Sequence, residues 1–272
     1  MKIGKKFIGF TSSGIRPINE DYILPSPESL SAGNDLFIVC DGVGGAIRGE
    51  TASRIAADSF AEFILEKSSG NFPDDLFHVA LQYAEESIDD FIRIHPSTRG
   101  MATTIALIYF NRSGADLAWC GDSRIYHLRG DSILFQSEDH SQVNMMVKAG
   151  LISKDEIATH PDKNILTRAI QGSSVRRSKV DTARLTEINP GDYFFICSDG
   201  VWEVVSNKIL TEICSGPGSI ESKTEYFKQI CSQSSHDNYS GFLIEIENIQ
   251  NDEIQSGIIN GEEDEIPFAR MF

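Results

Sequence analysis

The sequence predicts an α+β fold in which antiparallel sheets are covered by helices. Helical periodicity is concentrated between residues 50 and 94, strand-like runs cluster at 101–136 and return after 181, and no strand–helix–strand unit repeats. The first element is Asp35-Leu36-Phe37-Ile38-Val39-Cys40-Asp41, continuously apolar between two acids, which reads as a central strand buried on both faces. After the glycine-rich stretch from Asp41 to Gly49, Glu50 to Lys67 reads as a helix with Ile55, Phe60, Phe63 and Ile64 on its apolar side. A second helix is expected over Asp74 to Ile94, with Leu76, Ala80, Ala84, Ile88 and Phe91 at helical spacing and Pro73 and Pro96 as punctuation. Met101–Phe110, Ala115–Cys120, Arg124–Leu128 and Ser132–Gln136 are short β-rich runs separated by turn signals, an antiparallel meander. His140 to Pro161 turns helical through Val143, Met146, Val147 and Leu151. Strand character returns at Asp181–Ile188, Tyr193–Cys197 and Phe242–Ile246.

Composition sets the bounds. With 272 residues, 40% hydrophobic and 24% charged, the chain resembles an ordinary globular protein with a substantial core. No Pro- or Ser-rich linker divides it, so it reads as one domain over residues 1–248 with a loose acidic tail at 249–272. From Glu245 onward eight acids face one base, Arg270, which accounts for −7 of the net charge of −16. That balance argues against nucleic acid or an anionic membrane as partner. No apolar run is long enough to span a bilayer, and Phe7–Phe10 is too short for a signal-peptide core, so a cytoplasmic protein is expected. Cys40, Cys120, Cys197, Cys214 and Cys231 form no CxxC pair. Those inside apolar runs read as small core hydrophobes, not as a disulfide framework or zinc site.

Acids carry the chemistry. Asp21, Asp41, Asp199 and Asp237 each end an apolar run or sit beside a tight turn, in Asn19-Glu20-Asp21, Asp41-Gly42, Asp199-Gly200 and Asp237-Asn238. A carboxylate ending a buried strand is costly unless a cation or hydrogen bonds compensate it. Asp41-Gly42-Val43-Gly44-Gly45 is not a P-loop, because no Gly-Lys-Ser/Thr closes it, and Ile47 stands where a dinucleotide fingerprint needs glycine. Glycine after an acid instead lets the Gly42 carbonyl approach a hard ion. Two-metal hydrolysis needs divalent ions roughly 3.5–4 Å apart and a bridging carboxylate. Asp41 suits the bridge, with Glu20, Asp199 and Asp237 supplying the rest. Oxygen donors without thiolate or imidazole favour Mn²⁺ or Mg²⁺ over zinc. Arg16, four residues before Glu20, is placed to orient a phosphate.

Taken together, these residues resemble a known family. Arg16-Pro17-Ile18-Asn19-Glu20-Asp21, Asp41-Gly42-Val43-Gly44-Gly45, Cys120-Gly121-Asp122-Ser123-Arg124, Cys197-Ser198-Asp199-Gly200-Val201-Trp202 and His236-Asp237-Asn238-Tyr239-Ser240 occur in the order of the metal-dependent serine/threonine protein phosphatases of type 2C. Glu138-Asp139-His140-Ser141 and Asn164–Ile170 are similar to the segments around the flap of bacterial members. The resemblance spans about Phe7 to Glu247 and implies an α-β-β-α sandwich of two antiparallel sheets flanked by helices. It implies that Asp41 bridges two Mn²⁺ or Mg²⁺ ions and that the Gly42 carbonyl binds one of them. Glu20 would hold the first ion and Asp199 and Asp237 the second. Asp122 would complete a third site with Asp199. Arg16 would clamp the phosphate, and Asp21 and Asn238 would act from behind the ligands. A hydroxide between the ions would attack phosphorus in line. Two departures stand out. Val43 occupies the position of a histidine proposed as general acid in many eukaryotic members, so the leaving alkoxide would take its proton from metal-bound water. Tyr239 is bulkier than usual in the last motif.

Singly, each acid is ordinary turn chemistry: Asp199-Gly200 can cap a helix, and Gly121-Asp122-Ser123 reads equally as a hairpin turn. His140 and His236 read as hydrogen-bonded structural residues. The ordered set decides for a phosphatase of phosphoserine and phosphothreonine in proteins, acting as a monomer opposite a cognate serine/threonine kinase. The rival readings are a catalytically silent phosphoprotein-binding relative and a two-metal hydrolase of a small phosphate ester.

Overall fold

Alternation along the strands builds the molecule in four layers. The computed structural model describes residues 2–31, 33–43, 48–67, 75–172 and 177–250. With elements numbered in chain order, one antiparallel sheet contains β1 (Lys2–Ser12), β12 (Tyr239–Gln250), β11 (Tyr193–Cys197), β7 (Arg124–Arg129) and β8 (Ser132–Gln136), in that order. The other contains β10 (Asp181–Leu185), β6 (Gly114–Cys120), β5 (Ile105–Asn111), β3 (Leu36–Asp41) and β2 (Asp21–Leu24). A short ladder joins β4 (Ala102–Thr103) to β9 (Ile170–Gln171).

Each internal strand has two apolar faces, because each sheet is covered twice. From β3, Phe37 and Val39 enter the layer between the sheets, whereas Leu36, Ile38 and Cys40 meet α1 (Gly49–Lys67) and α2 (Leu76–Ile94). From β11, Phe194 and Ile196 face inward. Tyr193, Phe195 and Cys197 face the layer of α4 (Asp199–Trp202), α5 (Asn207–Ser215) and α6 (Ile220–Ser234). The result is the expected α-β-β-α sandwich. Ser206 and Ser219 cap α5 and α6 by accepting from the Ile209 and Ser222 amides.

Several elements depart from the sequence reading. The runs at 101–136 are not one meander: β5 and β6 pair in one sheet, and β7 and β8 in the other. The crossing occurs at Gly121-Asp122-Ser123, where Gly121 has φ +108 and a Cβ would lie 2.5 Å from the Thr104 side chain. The helix expected over His140–Pro161 is α3 (Gln142–Lys148) followed by a 3₁₀ turn at Lys154–Thr159, with Gly150 at φ +70 between them. The strand expected to reach Ile188 ends at Leu185, and β12 continues past Asn248 to Gln250, which pairs with Lys2. The glycines at 44 and 45, Pro73, Asp74 and the tail from 251 lie outside the described residues. All five cysteines are buried free thiols.

Candidate metal centre

Strand ends bring the predicted acids to one end of the sandwich. Asp21 opens β2 directly opposite Asp41, which closes β3. Asp122 lies in the turn from β6 to β7, Asp199 follows β11, and Asp237 precedes β12. The Asp41 and Asp199 carboxyls are close enough that each affects the other's protonation. Glu20 stands beside Gly49 at the start of α1. The backbones of Gly42 and Gly49 are packed so closely that a Cβ on Gly42 would lie 2.5 Å from the Gly49 carbonyl carbon. Gly42 donates its N–H to the Glu20 carbonyl at 3.1 Å, and its own carbonyl accepts from no described residue.

Burial and like charge dominate the electrostatics. Burial first, then repulsion from Asp199, Asp21 and Asp122, drives the Asp41 carboxyl well above the usual carboxylate range. Asp122 is driven up in the same way by burial and by Asp199 and Asp139. Burial pushes Asp199 to about 6, with Asp237 and Glu203 adding to it. It pushes Asp21 to about 7 against the Ser198 and Ser240 hydroxyls, which favour the charged form. Glu20 is raised by burial and by Glu50. Asp21 Oδ1 is a buried oxygen without a hydrogen-bond partner among the described residues, although Oδ2 accepts from Ser198 Oγ at 2.7 Å. Among the described residues no three acidic, imidazole or thiol side chains close on one point tightly enough to hold an ion by themselves. Carboxylates gathered in a desolvated pocket repel, and a divalent cation would offset that repulsion. The donors are oxygens throughout, so the set fits a hard ion such as Mn²⁺ or Mg²⁺.

Arg16 lies at the rim, half-exposed, where Nη2 donates to Asp237 Oδ2 at 2.7 Å and Nε to the His236 carbonyl at 3.2 Å. The predicted phosphate clamp is thus held by a predicted ligand. Asn238 pins the loop that carries Glu20. Its Oδ1 accepts from the Glu20 amide at 2.8 Å, and its Nδ2 donates to the carbonyls of Ser13 and Ile18 at 3.0 and 2.9 Å. His140 is a satisfied structural residue, accepting from the Gly121 amide at 3.1 Å through Nδ1 and facing Asp181 at 3.0 Å through Nε2.

Other supports were not read from the sequence. Thr104 Oγ1 accepts from the Asp41 amide at 3.0 Å and meets Ser123 Oγ at 2.7 Å, and Thr103 Oγ1 donates to the Asp41 carbonyl at 2.9 Å. Ser53 Oγ donates to the Glu20 carbonyl at 2.6 Å. Trp202 Nε1 donates to the Asp122 carbonyl at 2.9 Å, and its ring stacks on Arg124, which is clamped by Asp139. The available signal was two adjacent threonines within an otherwise apolar run.

Residues 18–239 match the family model described as Protein phosphatase 2C. The chain belongs to the protein phosphatase 2C family. Among curated relatives, the serine/threonine protein phosphatase PstP of Mycobacterium tuberculosis is 27% identical over 255 residues, or 93% of this chain. That match covers 47% of PstP, so the chain spans about half the length of this relative. A putative protein phosphatase 2C-type of Streptococcus pyogenes is 32% identical over 213 residues, 77% of this chain and 84% of the relative. The crystal structure of M. tuberculosis PstP/Ppp shares the fold with a TM-score of 0.77 at 25% identity, covering 90% of this chain and 100% of that one. A PstP catalytic domain in complex with two manganese ions has a TM-score of 0.74 at 23% identity, covering 91% and 100%.

Proposed function

We propose that this 2C-family chain is a metal-dependent phosphatase of phosphoserine and phosphothreonine in proteins. The observation that carries this reading is the set of buried, mutually repelling carboxyls of Asp41, Asp199, Asp122 and Asp21, gathered from separate strand ends, with the Arg16 guanidinium paired to Asp237 at the rim. In this reading Glu20, Asp41, the Gly42 carbonyl, Asp199 and Asp237 would hold two hard divalent ions, with Asp41 serving both, and Asp122 with Asp199 would serve a third. Bound there, Mn²⁺ or Mg²⁺ supplies Lewis acidity and an activated water for in-line displacement at phosphorus.

The chain's own residues do the rest. Asn238 and Ser53 fix the Glu20 backbone, and Thr103 and Thr104 fix that of Asp41, so the ligands are set before substrate arrives. Arg16, tethered to Asp237 at the rim, turns its planar donors to the phosphoryl oxygens and offsets the charge gathering there. Cys120 and Cys197 are buried, which raises the first thiol to about 12 and the second well above its ordinary value, so neither is a poised thiolate, in keeping with the direct displacement proposed. Val43, whose N–H is bonded to the Ala102 carbonyl, offers no proton to the leaving alkoxide, and water supplies it.

The substrates proposed are the products of a serine/threonine kinase, met by a monomer in the cytoplasm. No described helix is long and apolar enough to cross a membrane. Activity on a phosphopeptide and on a small aryl phosphate should require Mn²⁺ or Mg²⁺, disappear with chelator, and fall by orders of magnitude in Asp41→Ala and Asp199→Ala. Full turnover in excess chelator would overturn the proposal.

A further inference from the structure

The first sheet ends at β1, and its outer edge is open. Among the described residues β1 pairs only with β12, and none hydrogen-bonds to the main chain of Ile8, Gly9, Phe10 or Thr11 from the other side. Long edge strands are ordinarily blunted by charge, proline or a bulge. β1 has such devices only in its distal half, with Lys2, Lys5 and Lys6 and a bulge at Gly4/Lys5. Phe7-Ile8-Gly9-Phe10-Thr11, the half that leads to the metal centre, carries no charge. A groove of about 410 Å³ runs along it. Pro27 and Glu28 line it on one side, and Glu221, Glu225 and Lys228 of α6 on the other. Three acids line the groove against one base, Lys228, which pairs with Glu225 at 2.7 Å, so the groove is net acidic.

We propose that this groove docks the substrate: residues C-terminal to the phosphorylated serine or threonine add to β1 as an extended, basic strand. The inference rests on the phosphatase reading and names the substrate class that it favours. Open amides and carbonyls along Ile8–Thr11 supply main-chain pairing, and the net acidic lining, Glu28 and Glu221 with the Glu225–Lys228 pair, selects Lys and Arg. The groove leads to the site, because β1 ends at Ser12 opposite Tyr239, the residue after Asn238. Every pair in this sheet is antiparallel, so a strand added in the same sense runs from the centre toward Ile8 and lays its C-terminal residues in the groove. Ser12 to Ile8 covers roughly 14 Å of strand. A second copy of the chain is a poorer occupant, since two such edges would bring the same acids together.

The test uses the full chain with Mn²⁺ and three substrates. These are a phosphothreonine peptide followed by Lys and Arg, the same peptide followed by Glu, and a small aryl phosphate. The basic peptide should be preferred about tenfold in kcat/KM at low salt, through KM. The double variant Glu28→Lys/Glu225→Lys should lose that preference while turning over the aryl phosphate at the wild-type rate. Equal use of the two peptides by a wild-type protein that hydrolyses the aryl ester would overturn the docking inference, as would a preference that survives in the variant. No hydrolysis of any substrate would instead bring down the phosphatase reading, and the docking groove with it.

Discussion

Asn238 fixes the loop that carries Glu20 without being one of the proposed ligands. One amide accepts from the Glu20 N–H and donates to two carbonyls of the loop between β1 and β2, tying the start of β12 to the ligand-bearing loop. Asn238→Ala leaves one amide and two carbonyls without that partner, each such bond having a net worth of about 0.5–1.5 kcal/mol. Because Glu20 then loses its fixed position, Mn²⁺ affinity should drop about 10- to 100-fold. Activity should recover at saturating metal, as a titration of rate against Mn²⁺ would show. An unchanged metal requirement would remove Asn238 from the account. Little of this was readable in the sequence, where Asn238 is only the neighbour of a predicted ligand. The proposed ligands stand out in the sequence because each lies at a strand end beside a turn. Their supporting hydroxyls, Ser53, Thr103 and Thr104, sit in regular or near-regular backbone with no turn signal to mark them.

At the scale of elements, β3 was legible because both faces are buried and its apolar run is unbroken. Phe37 is fully buried and meets Phe7, Phe242 and Phe110 edge-on at 4.9, 5.3 and 6.1 Å between ring centroids. Phe37→Ala should cost about 3–5 kcal/mol in urea denaturation, because the cavity lies between two sheets that cannot both collapse into it. A loss below about 1 kcal/mol would mean that the inter-sheet layer repacks freely. β1 escaped notice for a physical reason: Lys5 occupies an inward position, ion-paired with Asp35 and lying over the Phe110 ring, and this breaks the alternation. α6 is masked in a similar way. Its buried face includes Lys223 and Thr224, while Tyr226 is exposed. Lys223 is satisfied by the Cys214 carbonyl at 2.6 Å and the Tyr193 hydroxyl at 3.0 Å, contacts that exist only once the chain has folded.

Across the whole molecule, charge is the organising quantity. Away from the metal centre, Asp192 is fully buried and faces His127 at 2.8 Å and Arg129 at 2.7 Å. Burial lowers the His127 imidazole below its ordinary 6.5, outweighing the raising effect of Asp192. The unfolded chain therefore binds this proton more readily, so the stabilisation is complete above about pH 6.5 and declines as the pH falls below it. The stability difference between wild type and His127→Gln, from urea midpoints at fixed metal concentration, should shrink as pH is lowered from 8 to 5. A difference that grows would reverse the assigned sign. Asp192 itself is raised by burial but held lower overall by Arg129, the Asn189 amide and His127, so its contribution is lost only under stronger acid. At the metal centre the repulsion among Asp21, Asp41, Asp122 and Asp199 should make the fold respond to cations. Saturating Mn²⁺ should raise Tm by mass action, about 2.7 kcal/mol of added stability at 100 times Kd. Asp41→Asn should blunt that rise.

The most direct measurement is anomalous diffraction at the manganese edge from crystals of the full chain grown with Mn²⁺. Two peaks roughly 3.5–4 Å apart, bridged by Asp41 and flanked by Glu20 on one side and by Asp199 and Asp237 on the other, are the expected result. No peak among these carboxylates, or peaks bound elsewhere on this acidic surface, would contradict the account.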